Sequence, residues 1–490
     1  MKKAELVFIP LPFLSHLKPA IEIAKNLVKF DHNLSISMFL MKSPLPDTKL
    51  EAYIDSLEAS PPKLERINFI ILQNDYVVTY VNLNLIMNSF MEHQKPRVKN
   101  AVTKLIQSQN CRLAGFIIDQ MCASMIDVAQ EFEVPTYVFC TVSAAYVSLI
   151  FHLQTLGDQR NIDLSGLKTD PDAELVFPGF VNPVPGQILP DLLLDKVGIS
   201  LYLDQFRSFR EAKGIIVNTF TELEPHAFNS LSNGELPPVY PVGPILNLVR
   251  DDDDHGQARF NNGDSSESEI IKWLDDQPSS SVVFLCFGNL GGFSEDQVKE
   301  IAKALQKCGI QFLWSLRQRP SLEHDQTVEA NTFIDTVHLM LQKSTNPTAK
   351  MGKIIGWAPQ IAILSHPAIG GFVSHCGWNS ILESLWFGVP IATWPLFGDQ
   401  PLNAFELVKE LGLAVEIKMN NSMYFMSDED GMIVSSVEIE KGIRKVMEND
   451  SIIRKKVKEI SEKCRKTMID GGSSHSSLER LINNIRDNLA

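Results

Sequence analysis

The sequence predicts an α/β protein made of two parallel-sheet domains, and three observations support this fold class. Short runs of β-branched and aromatic residues recur, each followed by a longer segment with the apolar spacing of a helix, as residues 5–10 are followed by residues 20–30. Strands that alternate with helices form parallel sheets covered on both faces. The chain has 490 residues, more than one compact core usually holds, and a polar, acidic stretch divides it near the middle.

A first series of strands is predicted before that stretch. After residues 5–10, the apolar runs that predict strands are residues 35–41, 67–71, 114–119, 136–140 and 214–218. Prolines cluster at residues 237–244, and residues 247–269 are polar, acidic and contain glycine, which is typical of a linker. We therefore predict an N-terminal domain over residues 1–245 and a linker over residues 246–269.

A second alternating series follows the linker. Its predicted strands are residues 282–287, 311–315, 352–356, 371–375, 390–394 and 414–417. Residues 474–489 have the spacing of one amphipathic helix. We assign residues 270–470 to a C-terminal domain and expect the last segment, residues 471–490, to pack back on the N-terminal domain.

Composition excludes several classes of protein. The formal net charge is −14, and no stripe of Lys and Arg is present, which argues against nucleic acid as a partner. The seven cysteines are scattered singly, as expected for reduced thiols and not for a disulfide framework or a zinc site. No stretch has the length of a membrane span or the pattern of a secretory signal. We expect a cytoplasmic monomer without stable membrane insertion.

The first strand-to-helix turn lacks the glycines of a dinucleotide loop. The first glycine in the chain is Gly115, whereas a nicotinamide-binding Rossmann domain needs a Gly-x-Gly-x-x-Gly turn for close approach to a pyrophosphate. The N-terminal half is therefore not expected to bind the nucleotide, and a nicotinamide oxidoreductase is disfavoured.

Two polar residues are predicted at the carboxyl edge of the first sheet. His16 lies in the turn after the first strand, and Asp119 ends the strand at residues 114–119. Open α/β folds bind ligands at this edge. A carboxylate next to a histidine fixes its tautomer and stabilises the imidazolium, which makes a general base. A lone histidine such as His16 more often caps or packs locally, and an aspartate at a strand end, such as Asp119, is often a cap for the next helix.

Two turns in the second half are candidates for binding phosphate. Residues 371–375 run into a helix predicted to begin near Asn379, so that the amides of Trp378, Asn379 and Ser380 form an anion site at a helix N-terminus. Residues 288–292 form a glycine-rich turn, followed by Ser294 and Gln297 as a predicted capping box. A plain turn is an equally good interpretation of the second segment.

Residues 357–400, with Trp-Ala-Pro-Gln at 357–360 and His-Cys-Gly-Trp-Asn-Ser at 375–380, resemble the signature box of plant UDP-glycosyltransferases. The similarity extends to the His16 turn, the Asp119 strand and residues 282–287, 312–317 and 471–474. The chain most resembles the branch that glycosylates phenolics and other secondary metabolites. The resemblance implies the GT-B fold, in which two Rossmann-like domains, one binding acceptor and one binding UDP-sugar, face each other across a cleft.

The resemblance also implies how the nucleotide is held. Trp357 would stack on uracil, with Ala358 and Gln360 near the base, and Glu383 would bind the ribose. The residues facing the diphosphate would be His375, Trp378, Asn379, Ser380 and, in the glycine-rich turn, Asn289, where relatives usually have serine.

The remaining implied roles concern the sugar and the chemistry. Asp399 and Gln400 would bind hydroxyls of the transferred sugar, and glutamine in the last place usually goes with glucose. Thr141 would approach the sugar from the N-terminal domain. His16 and Asp119 match the catalytic pair of the family.

This sequence departs from the family pattern near both ligands. Phe13, Leu14 and Ser15 replace the usual segment with glycine before the catalytic histidine, and Gly398-Asp399 replaces the commoner Ala-Glu. Residues 321–350 lack the usual Leu-Pro-x-Gly-Phe stretch. The residues expected to line the acceptor pocket are Phe13, Leu14, Gln120 and Tyr146. The acceptor itself stays open among flavonoids, simple phenols, terpenoid alcohols and plant hormones.

We therefore predict an inverting UDP-glycosyltransferase that transfers glucose from UDP-glucose, its co-substrate, to a hydroxyl of a small lipophilic acceptor, with no cofactor and no metal. A hydrolase is disfavoured because no pair of carboxylates flanks a candidate scissile bond. A UDP-sugar-binding protein with weakened catalysis is the alternative that the divergent loops leave open.

Overall fold

The structure is a computed structural model. It describes residues 4–59, 64, 66–80, 82–109, 111–160, 170, 173–190, 193, 196–232, 234–248, 263–288, 291–317, 352–420 and 432–488. Asn289, residues 321–350 and most of the predicted linker lie outside the described residues, so their predicted roles stay predictions.

The first sheet is formed by strands from the first half of the chain. Its strands are β1 (Ala4–Ile9), β2 (Leu34–Met41), β3 (Ile67–Leu72), β4 (Arg112–Asp119), β5 (Thr136–Cys140), β8 (Gly214–Val217) and β9 (Val239–Pro241). They are all parallel, in the order β3-β2-β1-β4-β5-β8-β9. We assigned residues 237–244 to a proline cluster, but part of it is β9. Because β9 is the edge strand, Pro241 is tolerated there.

The second sheet is formed by strands from the second half. Its strands are β10 (Val282–Cys286), β11 (Gln311–Ser315), β12 (Gly352–Ile355), β13 (Ile369–Ser374), β14 (Ile391–Thr393) and β15 (Ala414–Glu416), all parallel, in the order β12-β11-β10-β13-β14-β15. A small antiparallel pair, β6 (Glu174–Leu175) and β7 (Val184–Pro185), lies outside both sheets. The prediction of two parallel sheets is confirmed.

Helices connect the strands of both sheets. They are α1 (Leu14–Phe30), α2 (Thr48–Ala59), α3 (Leu83–Gln109), α4 (Met125–Glu131), α5 (Ala144–Arg160), α6 (Lys196–Ser208), α7 (Pro225–Leu231), α8 (Gly263–Asp275), α9 (Glu295–Cys308), α10 (Gln360–Leu364), α11 (Trp378–Phe387), α12 (Gln400–Phe405), α13 (Ser436–Val446), α14 (Ile452–Thr467) and α15 (Ser473–Asp487). Short 3₁₀ turns are at Gly186–Ile188 and Phe209–Glu211, and a π-helical turn at Glu406–Glu410 follows α12.

Three local predictions need correction. The first helix begins at Leu14 and not at residue 20, so that His16 lies within its first turn. Helix α8 begins at Gly263, inside the range 246–269 that we predicted as linker. Ser294 does cap α9, but the side chain of Gln297 turns away from Ser294 to bind the backbone of Val434, so the capping box is only half formed.

Both faces of the first sheet are covered by apolar side chains. Along β1, Val7 and Ile9 belong to one buried cluster and Leu6 and Phe8 to another, as expected for side chains that alternate across a strand. The C-terminal helix α15 contributes Leu481 and its apolar neighbours to the cluster of Leu6 and Phe8. The last helix of the chain therefore packs on the sheet formed by the first half.

The described residues contain neither a candidate membrane span nor a disulfide bond. None of the helices among them is long and apolar enough to cross a membrane. All seven cysteines are free and buried.

Candidate active site

His16 and Asp119 form a hydrogen-bonded pair at the carboxyl edge of the first sheet. His16 Nδ1 lies 2.8 Å from Asp119 Oδ2 and 3.1 Å from Thr141 Oγ1. Asp119 is 1% exposed, and its other oxygen accepts a hydrogen bond from the Met121 N–H. Because a carboxylate only accepts, the neutral His16 ring carries its proton on Nδ1 and keeps a lone pair on Nε2.

The pKa of His16 reflects two opposing influences. Burial lowers it, whereas the charge and hydrogen bond of Asp119, together with the charge of Asp399, raise it, and the net result lies above the usual value. A histidine side chain that is 18% exposed and titrates above its usual pKa suits a general base near neutral pH. The participation of Asp399 shows that the two halves of the chain meet at this ring.

A proline in α1 explains a second contact between the halves. In a regular helix the N–H of residue 19 would bind the carbonyl of Ser15, but Pro19 has no N–H. The Ser15 carbonyl instead accepts a hydrogen bond of 2.8 Å from Asn379 Nδ2. The turn that carries His16 is thus tied to the start of α11.

The N-terminus of α11 presents backbone N–H groups. Its N-cap is Gly377, which offers no side-chain cap, and Cys376 before it adopts a left-handed backbone with φ of 63°. The first N–H groups of such a helix attract anions. The Trp378 side chain itself is buried and donates through Nε1 to the Asn218 carbonyl at 2.8 Å, so its indole packs between the halves of the molecule.

His375 is enclosed by two glycines that no other residue can replace without displacing the ring. A Cβ added at Gly288 would lie 2.6 Å from His375 Nε2, and one at Gly377 would lie 2.5 Å from the same atom. Burial lowers the pKa of His375 to about 4, assisted by the charge of Arg317 and opposed by a hydrogen bond with the Cys286 backbone. The ring is therefore neutral at pH 7, and Nδ1 is buried without a partner among the described residues.

Gln360 connects two polar residues of α11. Its Nε2 donates to Ser380 Oγ at 2.9 Å and to Glu383 Oε2 at 2.7 Å. Burial raises the pKa of Glu383 to about 7, although the Gln360 hydrogen bond and the charge of Lys18 lower it. Nearby in sequence, Trp357 is 51% exposed and Ala358 is buried, so the indole offers a free apolar face at this end of the site.

Asp399 and Gln400 are held at the start of α12. Gln400 Oε1 accepts hydrogen bonds from the N–H groups of Leu396 and Phe397, which leaves its Nε2 as the end available to a ligand. Asn403 Nδ2 donates to Asp399 Oδ2 at 2.8 Å and to the Cys376 carbonyl at 3.0 Å. Burial raises the pKa of Asp399, against the Asn403 hydrogen bond, its own backbone and the charge of His16.

Of the four predicted acceptor residues, Phe13 and Leu14 belong to the His16 turn, whereas Gln120 follows β4 and Tyr146 lies in α5. The rings of Phe13 and His16 have centroids 6.3 Å apart, and Leu14 begins α1. Gln120 follows Asp119 and is 3% exposed, with Oε1 lacking a partner among the described residues. Tyr146 is buried, and its hydroxyl lies 3.0 Å from that of Tyr202. Burial raises the pKa of both phenols.

Sequence reasoning missed several residues of this region. The Tyr202 hydroxyl contacts that of Tyr146, and Asn403 donates a hydrogen bond to Asp399. The charge of Lys18 lowers the pKa of Glu383, and the charge of Arg317 lowers the pKa of His375 and of Lys49. These residues gave no signal in the sequence. The Ser15 carbonyl did, because a proline inside a helix, here Pro19, leaves the carbonyl four residues before it without its helical partner. Across the described part of the chain, no three His, Cys, Asp or Glu residues are grouped as metal ligands would be.

Two parallel sheets that meet around the His16–Asp119 pair and the N-terminus of α11 are the arrangement expected of the GT-B fold, and similarity to known proteins identifies the class of enzyme. Residues 222–457 match the family model described as "UDP-glucoronosyl and UDP-glucosyl transferase". The chain is 49% identical over 492 residues to a UDP-glucose flavonoid 3-O-glucosyltransferase from Fragaria ananassa, covering 99% of this chain and 100% of the relative. The chain therefore belongs to the UDP-glycosyltransferase family, and it is an enzyme that uses a UDP-sugar.

Solved structures of the family have the same architecture. A transferase from Siraitia grosvenorii in complex with UDP is 43% identical with a TM-score of 0.81, covering 99% of this chain and 100% of that one. A Medicago truncatula enzyme complexed with UDP-glucose is 38% identical with a TM-score of 0.81, covering 99% of this chain and 98% of that one. The GT-B fold expected from the sequence is confirmed.

Proposed function

We propose that this enzyme transfers glucose from UDP-glucose to a hydroxyl of a small lipophilic acceptor, such as a flavonoid or another phenolic, with inversion at the anomeric carbon. The observation that carries the proposal is the His16–Asp119 hydrogen bond of 2.8 Å. The pKa of the same ring is also raised by the charge of Asp399, which belongs to the other half. A base on one side of the cleft and sugar-binding groups on the other are what a direct displacement requires.

In the proposed reaction, His16 Nε2 takes the proton of the acceptor hydroxyl while its oxygen attacks the anomeric carbon. The bond from that carbon to the UDP oxygen breaks on the opposite face, so one displacement inverts the configuration. Asp119 stabilises the imidazolium through Nδ1. UDP leaves with its diphosphate at the N-terminus of α11, where the N–H groups and His375 stabilise the negative charge.

Binding of UDP-glucose is assigned to residues of the second half and to one of the first. Trp357 stacks on uracil next to Ala358 and Gln360, and Glu383 accepts from the ribose. Asp399 and Gln400 bind glucose hydroxyls, with Thr141 on the other side of the sugar. Support comes from the exposed indole of Trp357, the available Nε2 of Gln400 and the Thr141 hydroxyl at His16.

A phenolic acceptor is favoured over a terpenoid or a hormone by one comparison and by one chemical argument. The Fragaria ananassa relative is described as a flavonoid 3-O-glucosyltransferase. Phenols ionise near pH ~10, several units below aliphatic alcohols, so a histidine base suffices to activate them. Phe13, Leu14, Gln120 and Tyr146 are assigned to the acceptor pocket.

The test compares wild type with His16→Ala and Asp119→Asn. UDP release from UDP-glucose is measured with mass detection of products across phenolic and terpenoid acceptors, and UDP binding is measured in parallel. We expect a hexose adduct in wild type and a turnover lowered by about 10²–10⁴-fold in His16→Ala, because general-base assistance has that size. Both variants retain UDP binding, since neither side chain is assigned to the nucleotide.

The Asp119 variant adds a pH readout. Asp119 raises the pKa of His16, so its removal shifts the acidic limb of the rate profile to lower pH while the plateau falls. Unchanged turnover on an aliphatic alcohol in His16→Ala refutes the base assignment. UDP-glucose binding without transfer by wild type favours the alternative, a UDP-sugar-binding protein with weakened catalysis.

We further propose that the reaction needs no metal and that the enzyme works in the cytoplasm as a monomer. The backbone N–H groups of α11 and the neutral His375 supply donors to the diphosphate. Activity in excess chelator is therefore expected to equal that of the untreated enzyme, and its abolition contradicts this proposal.

A further inference from the structure

Two glutamates are buried against each other where the halves of the molecule join. Glu224 lies between β8 and α7 and is 2% exposed, and Glu406 begins the π-helical turn after α12 and is 4% exposed. Each carboxyl group shifts the pKa of the other through a side-chain hydrogen bond, so the two groups are in contact. The reaction proposed above uses neither residue.

The contact requires a proton. Two carboxylates only accept hydrogen bonds, so a bond between them exists only when one is protonated. Glu224 accepts from Thr219 Oγ1 at 2.5 Å and from the Ala145 N–H at 2.8 Å. Glu406 accepts from Ser143, and its Oε2 has no partner within the described part of the chain. Glu224 is thus the carboxylate, and Glu406 is the acid that donates to it.

The elements carrying this pair lead directly to both sides of the site. Glu406 continues the helix of Asn403, which holds Asp399 and the Cys376 carbonyl. Glu224 binds the first turn of α5, which begins a few residues after Thr141. The proton between Glu406 and Glu224 therefore connects two elements. One is the helix that positions Asp399, and the other is the turn that places Thr141 against His16.

We propose that Glu406 and Glu224 are positioning residues whose shared proton keeps the sugar-binding helix α12 in register with the His16 side of the cleft. Loss of the proton leaves two adjacent buried carboxylates, which repel each other and separate α12 from α5. The donor site then loses its closed geometry, although no group that touches the donor has changed.

The neighbours of the pair determine when the proton leaves. Burial, followed by the charge and hydrogen bond of Glu224 and the charge of Glu410, raises the pKa of Glu406 well above its usual range, and only the Ser143 hydroxyl among its strongest influences lowers it. The pKa of Glu224 is raised by burial but lowered by its donors Thr219, Ala144 and Ala145. The pair accordingly keeps its proton to a higher pH than an ordinary carboxyl group does.

The experiment uses Glu406→Gln, because glutamine has the shape of the protonated acid and donates an N–H at every pH. The dissociation constant of UDP is measured from pH 6 to pH 9 for wild type and variant, so that ionisation of UDP itself cancels in the ratio. We expect wild type to lose affinity relative to the variant by about fivefold or more at the alkaline end, the usual scale of coupling between sites. Glu224→Gln, which can donate to a Glu406 carboxylate, is expected to flatten the profile in the same way.

Glu410→Gln is the matched control. Glu410 lies one turn further on and accepts from the N–H groups of Val181 and Asn182, also between the halves, but it shares no proton with another carboxylate. Because the charge of Glu410 raises the pKa of Glu406, this variant is expected to keep the alkaline decline of wild type but to shift it to lower pH. Equal profiles for wild type and Glu406→Gln overturn the proposal, as does a decline that disappears in Glu410→Gln.

Thermal unfolding over the same pH series separates this inference from the proposed donor site, on which it otherwise rests. A raised pKa in the folded state means that the folded chain binds more protons than the unfolded one, so stability falls as pH rises from the ordinary carboxyl pKa towards the raised one. The melting temperature of wild type is expected to fall relative to Glu406→Gln over that range. If UDP binds to no variant but the melting temperatures still diverge with pH, the donor assignment fails and the shared proton stands. If the melting temperatures of wild type and Glu406→Gln change in parallel with pH, the shared proton is refuted.

Discussion

At the scale of single residues, burial and charge adjust three titratable side chains for different tasks. The pKa of His375 falls to about 4, so that this ring is a neutral hydrogen-bond donor. The pKa of His16 rises because the charge and hydrogen bond of Asp119, together with the charge of Asp399, outweigh burial. Burial raises the pKa of Glu383 to about 7.

The pKa of Glu383 predicts that UDP binding depends on pH near neutrality. A carboxylate accepts ribose hydroxyls better than the neutral acid, and below pH 7 burial favours the acid. UDP affinity of wild type relative to Glu383→Gln is expected to rise about tenfold from pH 5.5 to pH 8, the scale of a hydrogen bond to a charged group. Titration calorimetry at several pH values measures this ratio, and a constant ratio contradicts the assignment of Glu383 to the ribose.

The sequence located His16 and Asp119 because His16 follows one apolar strand and Asp119 ends another, and parallel strands bring their carboxyl ends to one edge. It could not locate the contacts of Asn379 with Ser15 or of Trp378 with Asn218, since each joins segments far apart in the chain. Such pairs depend on how the two sheets meet, which no local pattern encodes.

At the scale of elements, the strands were predictable and the helix ends were less so. Residues 136–140 and 311–315 were predicted as strands and are β5 and β11 with the same ends, because continuous runs of apolar residues mark strands buried on both faces. The start of α1 at Leu14 was missed because its N-cap, Phe13, makes no side-chain cap and so gives no capping signal in the sequence. The side chain of Gln297 was misassigned because a capping pattern does not show competing partners.

The observed role of Gln297 predicts a loss of stability when it is truncated. Its side chain binds both the N–H of Val434, at 2.7 Å, and the carbonyl of Val434, at 2.9 Å. Gln297→Ala leaves two buried backbone groups unpaired and is expected to lower the free energy of unfolding by about 2 kcal/mol. Urea unfolding measures the change, with exposed Lys307→Ala on the same helix as the control; equal midpoints for the two variants contradict the prediction.

At the scale of the whole molecule, the last helix stabilises the first sheet. Helix α15 contributes Leu481 to the cluster of β1, Arg486 binds Asp31 at 2.7 Å, and Asn484 accepts from the Tyr137 hydroxyl at 2.7 Å. Helix α15 therefore packs on the first sheet, and its apolar side chains are part of the core of the N-terminal half.

This packing predicts a long-range effect of Leu481→Ala. The side chain is fully buried, so truncation is expected to cost about 2–5 kcal/mol. Amide hydrogen exchange is expected to accelerate in β1 and β4, far away in sequence, because their covering helix is weakened. Glu479→Ala, on the exposed side of α15, is the control, and exchange that accelerates only within α15 argues against the packing described.

The buried cysteines make the opening of each half measurable. Cys111, Cys122 and Cys140 belong to the first half, and Cys286, Cys308, Cys376 and Cys464 belong to the second. Since none of these thiols is exposed in the folded chain, an alkylating reagent modifies each one only after its surroundings unfold. Mass mapping of the modified peptides over time would therefore give separate opening rates for the first half and the second half, without any introduced label.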